Sequence, residues 1–156
     1  MAKELNLTRV FDVSIEPMFA AWTEPQRMAL WWDPKYFFIP VCELDARPGG
    51  AMRIVMRGPD GVDYPMTGVY HEVERPNRNV FTSKALVDEA GHAQLETLTS
   101  VTLVEVAGQT QVLLNVGVTH STAAAAEAMA GMPEGWRQSL DRLKEHLEPL
   151  RKESDD

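Results

Sequence analysis

The stretch that decides the fold is residues 136–150, WRQSLDRLKEHLEPL. Its apolar residues recur four, three, four and three positions apart, which is the spacing of one face of an α-helix. That face carries Trp136, Leu140, Leu143, Leu147 and Leu150. The charged and polar residues between them fall on the other face. The stretch therefore predicts a long amphipathic helix that packs one side against the rest of the chain.

Most of the chain before this helix alternates apolar and polar residues, which is the pattern of half-buried strands. Turn sequences rich in glycine, proline and asparagine separate the segments, as at residues 58–61 and 75–79. We predict about seven strands, over residues 5–15, 36–47, 51–57, 64–74, 80–86, 95–106 and 110–119. Because these strands follow one another as hairpins, the expected fold is α+β, with a curved antiparallel sheet wrapped around the long C-terminal helix.

Two short helices are expected after the first strand. Ser14 can cap the first one, and the apolar residues Met18, Phe19 and Trp22 supply its buried face. Pro25 begins the second, which runs to residue 31. It ends before residues 33–34, Asp-Pro, because a proline ring disfavours helical geometry at the residue that precedes it.

Length and charge narrow the classes of function. A chain of 156 residues suits one domain, which we place at residues 1–150, with a charged and frayed tail at residues 151–156. The net charge of −8 disfavours binding to nucleic acid and to anionic membranes. No apolar run approaches the roughly 20 residues of a membrane-spanning helix, so no membrane insertion is expected. The single Cys42 cannot form an internal disulfide, which favours a reducing cytoplasm.

The residues that usually carry chemistry do not form a recognisable set. The four histidines have none of the spacings of a metal site, so neither a metal nor a cofactor is expected. The sequence contains no nucleophile elbow and no phosphate-binding glycine loop. Catalytic residues therefore stay unassigned.

Short motifs along the chain resemble a known family. They are Arg9 with Phe11, AAWTEP at 20–25, LWWDP at 30–34, RPGG at 47–50, GPDG at 58–61, GVYHEV at 68–73, Phe81 with Thr82, Gly135 with Trp136, and SLDRL at 139–143. In order and spacing they resemble the activator of heat-shock-protein-ninety ATPase homologue family of the START-like, or SRPBCC, superfamily. The resemblance runs from about residue 5 to about residue 149. It implies the helix-grip fold, in which a bent sheet grips the C-terminal helix and a cavity lies between them.

The segment at residues 131–135, GMPEG, departs from the family pattern. A proline inside a helix costs about 3 kcal/mol, but it costs little at the first helical position. We therefore predict a break, with a short helix over residues 122–130 and the main helix beginning at Pro133. Gly135 is expected to allow the backbone to approach a neighbour closely.

The implied cavity has candidate lining residues. Flexible methionines adapt to varied ligands, and Trp136 begins the helical stripe, with Trp32 expected near the cavity mouth. Thr97 and Thr99 share one face of their strand and Leu98, Ser100 and Thr102 the other, so polar groups reach the interior whichever face is inside. The candidate ligand-binding residues are Trp32, Met52, Met66, Tyr70, Thr99, Met129 and Trp136. Gly68 lies between Met66 and Tyr70 and would leave room for a bend or a ligand. The opposite face of that strand, Val69, His71 and Val73, stays open as an alternative.

Three functions are consistent with the resemblance. The leading one is the binding of a small, largely apolar molecule in the cavity. The second is an enzyme of the cyclase or dehydratase type, with Tyr70 and either His71 or Glu72 as acid or base. The third is regulation of a heat-shock ATPase as a chaperone partner, which we favour least because the chain has room for only the one family domain. Homodimer formation is left open.

Overall fold

Within the part of the chain that the structure describes, the residues form one seven-stranded sheet and three α-helices. The structure is a computed structural model that describes residues 3–32 and 36–154. In chain order the elements are β1 (Lys3–Phe11), α1 (Ile15–Thr23), α2 (Pro25–Met28), β2 (Phe38–Leu44), β3 (Ala51–Arg57), β4 (Asp63–Glu74), β5 (Arg78–Val87), β6 (Ala93–Val106), β7 (Gln109–Ser121), a short 3₁₀ helix (Ala123–Ala125) and α3 (Ala126–Ser154). The predicted α+β helix-grip fold, with two short helices after the first strand, is confirmed.

The sheet is antiparallel throughout, as the succession of hairpins predicted. Its strand order is β1-β7-β6-β5-β4-β3-β2, so each strand from β2 to β7 pairs with its neighbour in the sequence. The first strand joins the far edge by pairing with the last one, where Leu5 lies opposite Val116. Inward-facing residues alternate along the strands, as Val101 and Leu103 on β6 and Val112 and Leu114 on β7 show by their burial. This face forms the core together with the helices.

The amphipathic stripe of α3 packs as predicted. Leu140, Leu143 and Leu147 are almost completely buried and belong to the hydrophobic core, whereas Trp136 is partly buried at its edge. The side chain of Leu150 lies outside the described residues. Each fully buried leucine stabilises the fold by about 2 kcal/mol relative to an exposed one. The burial of these three leucines therefore fixes the C-terminal half of α3 against the concave face of the sheet.

The predicted break at Pro133 is wrong. α3 is continuous from Ala126 to Ser154, with Pro133 and Pro149 inside it. Proline removes one helical hydrogen bond, but residues on both sides of it, Met132 and Trp136, pack against the core. Tertiary packing of an apolar face commonly outweighs local helix propensity. The backbone of residues 151–154, which we predicted as a frayed tail, is part of the same helix.

The two short helices close one end of the sheet. α1 buries Met18, Phe19 and Trp22, and α2 is one turn long and shorter than predicted. Trp31 follows α2 in a turn, and its indole N–H donates to the Ala21 carbonyl at 2.9 Å. Residues 33–34, which we predicted as the helix stop, lie outside the described residues.

Candidate ligand-binding cavity

A cavity of about 660 Å³ lies between the N-terminal half of α3 and the inner face of the sheet. Its helix wall is one face of α3, because the lining residues recur every three or four positions. They are Ala128, Gly131, Met132, Gly135, Trp136 and Ser139. Four of these six are glycine, alanine or serine. The stripe that carries leucine further along α3 therefore carries small residues here, and the helix fills less of the space above the sheet.

Gly131 and Gly135 show how much space is left. A Cβ atom added to either residue would meet no atom within 4 Å. Gly135 therefore faces open space, whereas we expected it to allow close contact with a neighbour. The two glycines of the 131–135 segment therefore shape the cavity wall.

The sheet wall is mainly apolar. Its apolar residues are Met56, Tyr64, Pro65, Met66, Ala85, Leu86, Val87, Leu95 and Val116. Tyr64 and Val87 are exposed, which places the mouth of the cavity at their end of the sheet. Thr99 and Val116 are buried and belong to its floor. An apolar ligand bound in such a site would be largely shielded from water.

Aromatic rings enclose the inner end of the cavity. Trp32, which we expected near the mouth, lies with Trp136 at this inner end, and the two rings meet edge to face with centroids 5.2 Å apart. Trp136 also stacks on the buried Trp22 at 6.1 Å, and Trp22 contacts Trp31 at 4.5 Å. All four tryptophans thus form one cluster. Ser139 secures it, because its hydroxyl donates to the Trp32 carbonyl at 2.7 Å.

Charge is confined to the mouth. Among the lining residues that the structure describes, Asp63 is the one that carries a charge. Arg57 donates to both of its carboxylate oxygens, at 2.5 and 3.0 Å. These hydrogen bonds hold the pKa of Asp63 below its ordinary value, although burial opposes them slightly. Asp63 is therefore ionised and already paired.

No group of three or more metal-ligating side chains occurs within residues 3–32 and 36–154. The hydroxyls of Ser83, Thr97 and Thr99 are the main polar groups of the cavity floor.

A family model described as "Activator of Hsp90 ATPase homolog 1-like protein" matches residues 12–148. The chain belongs to this family. The match begins just after β1 and covers the other six strands, both short helices and most of α3, so all residues that line the cavity lie within it. The family inferred from the short motifs is confirmed.

Solved structures share the START-like helix-grip fold of this activator of Hsp90 ATPase homologue family. A protein of Chromobacterium violaceum is similar with a TM-score of 0.77 and 27% identity, covering 94% of this chain and 97% of its own. A protein of Silicibacter pomeroyi named for the same family has a TM-score of 0.75 and 26% identity, covering 91% and 95%. A protein of Rhodobacter sphaeroides has a TM-score of 0.74 and 26% identity, covering 90% and 89%.

No protein of curated function matches the sequence. None of the helices within the described residues is long and apolar enough to cross a membrane.

The structure brings four of the seven predicted ligand-binding residues to the cavity wall. Trp32, Met66, Thr99 and Trp136 line it. Met52 and Tyr70 are buried in the packed core instead, and Met129 lies outside the lining. Gly68 leaves no room for a guest, because a Cβ there would lie 2.2 Å from the Thr82 carbonyl oxygen, with the Met52 sulfur at 3.5 Å.

Sequence reasoning did not select several lining residues. Met56 and Met132 carried the same signal as the chosen methionines, and Thr97 the same signal as Thr99. Ser83 could have been predicted as a lining residue, because it follows the buried Phe81 by two positions on β5 and its side chain therefore faces the same side of the sheet. Gly131 and Gly135 could not be predicted to line a cavity, since a glycine in a helical sequence indicates only a lower helix propensity.

The residues considered for acid–base chemistry do not face the cavity. Tyr70 is fully buried in the core, and burial, with a smaller effect from Cys42, raises the pKa of its phenol. His71 and Glu72 are both exposed, because the β4–β5 register shifts between Tyr70 and Glu72 and inserts a bulge. Strict alternation along a strand would place these two neighbours on opposite faces. The bulge instead returns Val73, two positions after His71, to the core side.

Replacing Tyr70 with phenylalanine is expected to raise the free energy of unfolding by about 1 kcal/mol. The Tyr70 hydroxyl is buried without a hydrogen-bond partner, and such a group costs free energy to remove from water. Chemical denaturation measures the change, with Tyr64→Phe at the exposed mouth as a control that should stay within about 0.5 kcal/mol. A loss of stability in Tyr70→Phe would show that the hydroxyl makes a stabilising contact.

Proposed function

We propose that this protein binds a small, largely apolar molecule in the cavity between α3 and the sheet. The observation that carries the proposal is the cavity itself, which has about 660 Å³ and apolar walls, with Trp32 and Trp136 at its inner end. Sites for small molecules typically have about 300 to 1,000 Å³ and are lined by apolar and aromatic groups with a few polar ones. The START-like fold to which the chain belongs commonly binds ligands.

The packing of the helix supports the proposal. Interiors of proteins are close-packed, and the glycine, alanine and serine residues on this face of α3 leave space that larger side chains would partly fill. Three leucines fill the equivalent face along the C-terminal half of α3, at residues 140, 143 and 147. This contrast between the two halves of one helix supports the proposal that a ligand occupies the space.

Acid–base catalysis in the same cavity finds no support. Tyr70 is sealed in the core, and His71 and Glu72 are exposed away from the lining residues. Binding alone is therefore the function that the geometry supports best.

Replacing Gly135 with leucine is expected to weaken binding of the fluorescent apolar probe N-phenyl-1-naphthylamine at least about tenfold. A side chain built at this position enters open space within the cavity and competes with the probe for the same volume. Leucine also forms helix better than glycine by roughly 0.8 kcal/mol, so the variant should fold at least as well as the natural protein. Probe fluorescence measures binding, and thermal unfolding checks the fold.

The matched control is Gly135→Ala, which gains helix propensity but fills little of the cavity. It should bind the probe about as tightly as the natural protein. Equal binding by Gly135→Leu and Gly135→Ala, or no binding by the natural protein, would contradict the proposed site. Mass spectrometry of small molecules that co-purify with the protein would then identify the natural ligand.

A further inference from the structure

Three hydroxyl-bearing residues form a polar patch on the floor of the cavity, which we call the hydroxyl patch: Ser83, Thr97 and Thr99. Ser83 on β5 lies directly opposite Thr97 on β6 in the strand register. Thr99 is two residues further along β6 and therefore faces the same side. All three line the cavity, and their exposed fractions are 7%, 9% and 1%. The patch is thus removed from bulk solvent.

The hydroxyl patch makes no hydrogen bond to any side chain or backbone group of the described residues. The other buried serine and threonine hydroxyls of the described residues do have partners, whereas the Tyr70 phenol in the packed core does not. Thr110 donates to the Val13 carbonyl at 2.8 Å, and Ser139 donates to the Trp32 carbonyl at 2.7 Å. Buried polar groups are normally paired, because an unpaired one costs free energy. The three hydroxyls of the patch are not among the buried unpaired atoms of the described residues; they are open to the cavity and are therefore available to its occupant.

The charge of the lining limits what the occupant can be. Apart from Asp63 at the mouth, the described lining residues are uncharged, and Asp63 is paired with Arg57. A carboxylate or phosphate at the hydroxyl patch would meet no cation to offset the loss of its hydration. An ammonium group there would likewise meet no carboxylate. The floor of the cavity thus suits an uncharged polar group.

We infer that the ligand is an uncharged molecule with an apolar body and one hydrogen-bonding oxygen or nitrogen that contacts the hydroxyl patch. The apolar body lies against Trp136, Met132 and Met66, and the polar atom is held between β5 and β6. A serine or threonine hydroxyl both donates and accepts, so the patch recognises a ligand hydroxyl or carbonyl. This inference rests on the proposed function and adds the chemical class of the ligand.

Three matched probes test the inference: 1-naphthol, 1-methylnaphthalene and 1-naphthoate. The first two have nearly the same shape, but only the naphthol can form hydrogen bonds. Affinities are measured by NMR titration at pH 7.5 for the natural protein and for the variant Ser83→Ala/Thr97→Val/Thr99→Val. Removing the hydroxyls is expected to lower the preference for 1-naphthol over 1-methylnaphthalene by about three- to tenfold. The natural protein should bind 1-naphthoate at least about tenfold more weakly than 1-naphthol.

Two controls keep this result specific. Thr67→Val and Ser100→Ala remove hydroxyls on the other face of β4 and β6, and they should leave the preference unchanged. Thr97→Val alone conserves shape and serves if the triple variant does not fold, with an expected change of about threefold.

Each other outcome identifies which idea fails. If the neutral probes bind but the preference is the same in all variants, the hydroxyl patch does not recognise the ligand, while the cavity still binds it. Binding of 1-naphthoate as tight as that of 1-naphthol would also overturn the inference of an uncharged ligand. If neither neutral probe binds to the natural protein, the proposed function and the inference both fail.

Discussion

Replacing Leu143 with alanine is expected to lower the free energy of unfolding by about 2–5 kcal/mol. Leu143 is completely buried at the centre of the α3 stripe, between Leu140 and Leu147, and packs in the core of the sheet. Alanine would remove apolar contacts and leave a void, which the surrounding strands can close only in part. Urea denaturation measures the loss. Leu147→Ala, one turn further along, should cost a similar amount.

The control for this prediction is Glu145→Ala on the same helix. Glu145 is exposed, and alanine has a favourable helix propensity, so the change should stay within about 0.5 kcal/mol. A loss below about 1 kcal/mol in both leucine variants would mean that α3 does not pack on the sheet as described.

Replacing Gly68 with alanine is expected to lower the free energy of unfolding by about 3 kcal/mol or more. The added Cβ would lie 2.2 Å from the Thr82 carbonyl oxygen on the adjacent strand, much closer than van der Waals contact. This neighbour is backbone and is held in the β4–β5 ladder, so it cannot move without disturbing the pairing of Gly68 with Ser83. Chemical denaturation of the purified variant measures the effect.

Gly117→Ala is a matched control in the same sheet. Gly117 lies within β7, and a Cβ there would meet no atom within 4 Å. Because glycine within a strand destabilises the folded state relative to alanine, the free energy of unfolding of this variant should be unchanged or higher by about 0.5–1 kcal/mol. If the two glycine variants behaved alike, the close approach of β4 and β5 at Gly68 would be refuted.

These two sites explain how the same sheet and helix form both a firmly packed core and an open cavity. Leucines of the C-terminal half of α3 hold it on the sheet, and Gly68 lets β4 and β5 approach closely beside the core residue Met52. The N-terminal half of α3 carries glycines at 131 and 135, so it spans the remaining sheet without filling the space. The size of the cavity follows from the change of residue size along one helical face.

The sequence by itself determined the elements and their packing faces. Alternation predicted the seven strands, and the stripe at Leu140, Leu143 and Leu147 predicted the helix and its buried side, because these patterns are local. The short motifs predicted the family and the helix-grip fold, both confirmed. Binding of a particular ligand stays a prediction.

Only the tertiary structure decided where the cavity lies along those faces. The side chains of Met52, Met66 and Tyr70 lie on the same face of the sheet, yet of these three only Met66 lines the cavity. Which of them lies beneath the open part of α3 depends on the register between segments that are distant in the sequence. The bulge after Tyr70 and the continuity of α3 through Pro133 depend in the same way on long-range packing. Periodicity determines which side of an element is buried, whereas only the assembled fold determines whether that side meets another side chain or open space.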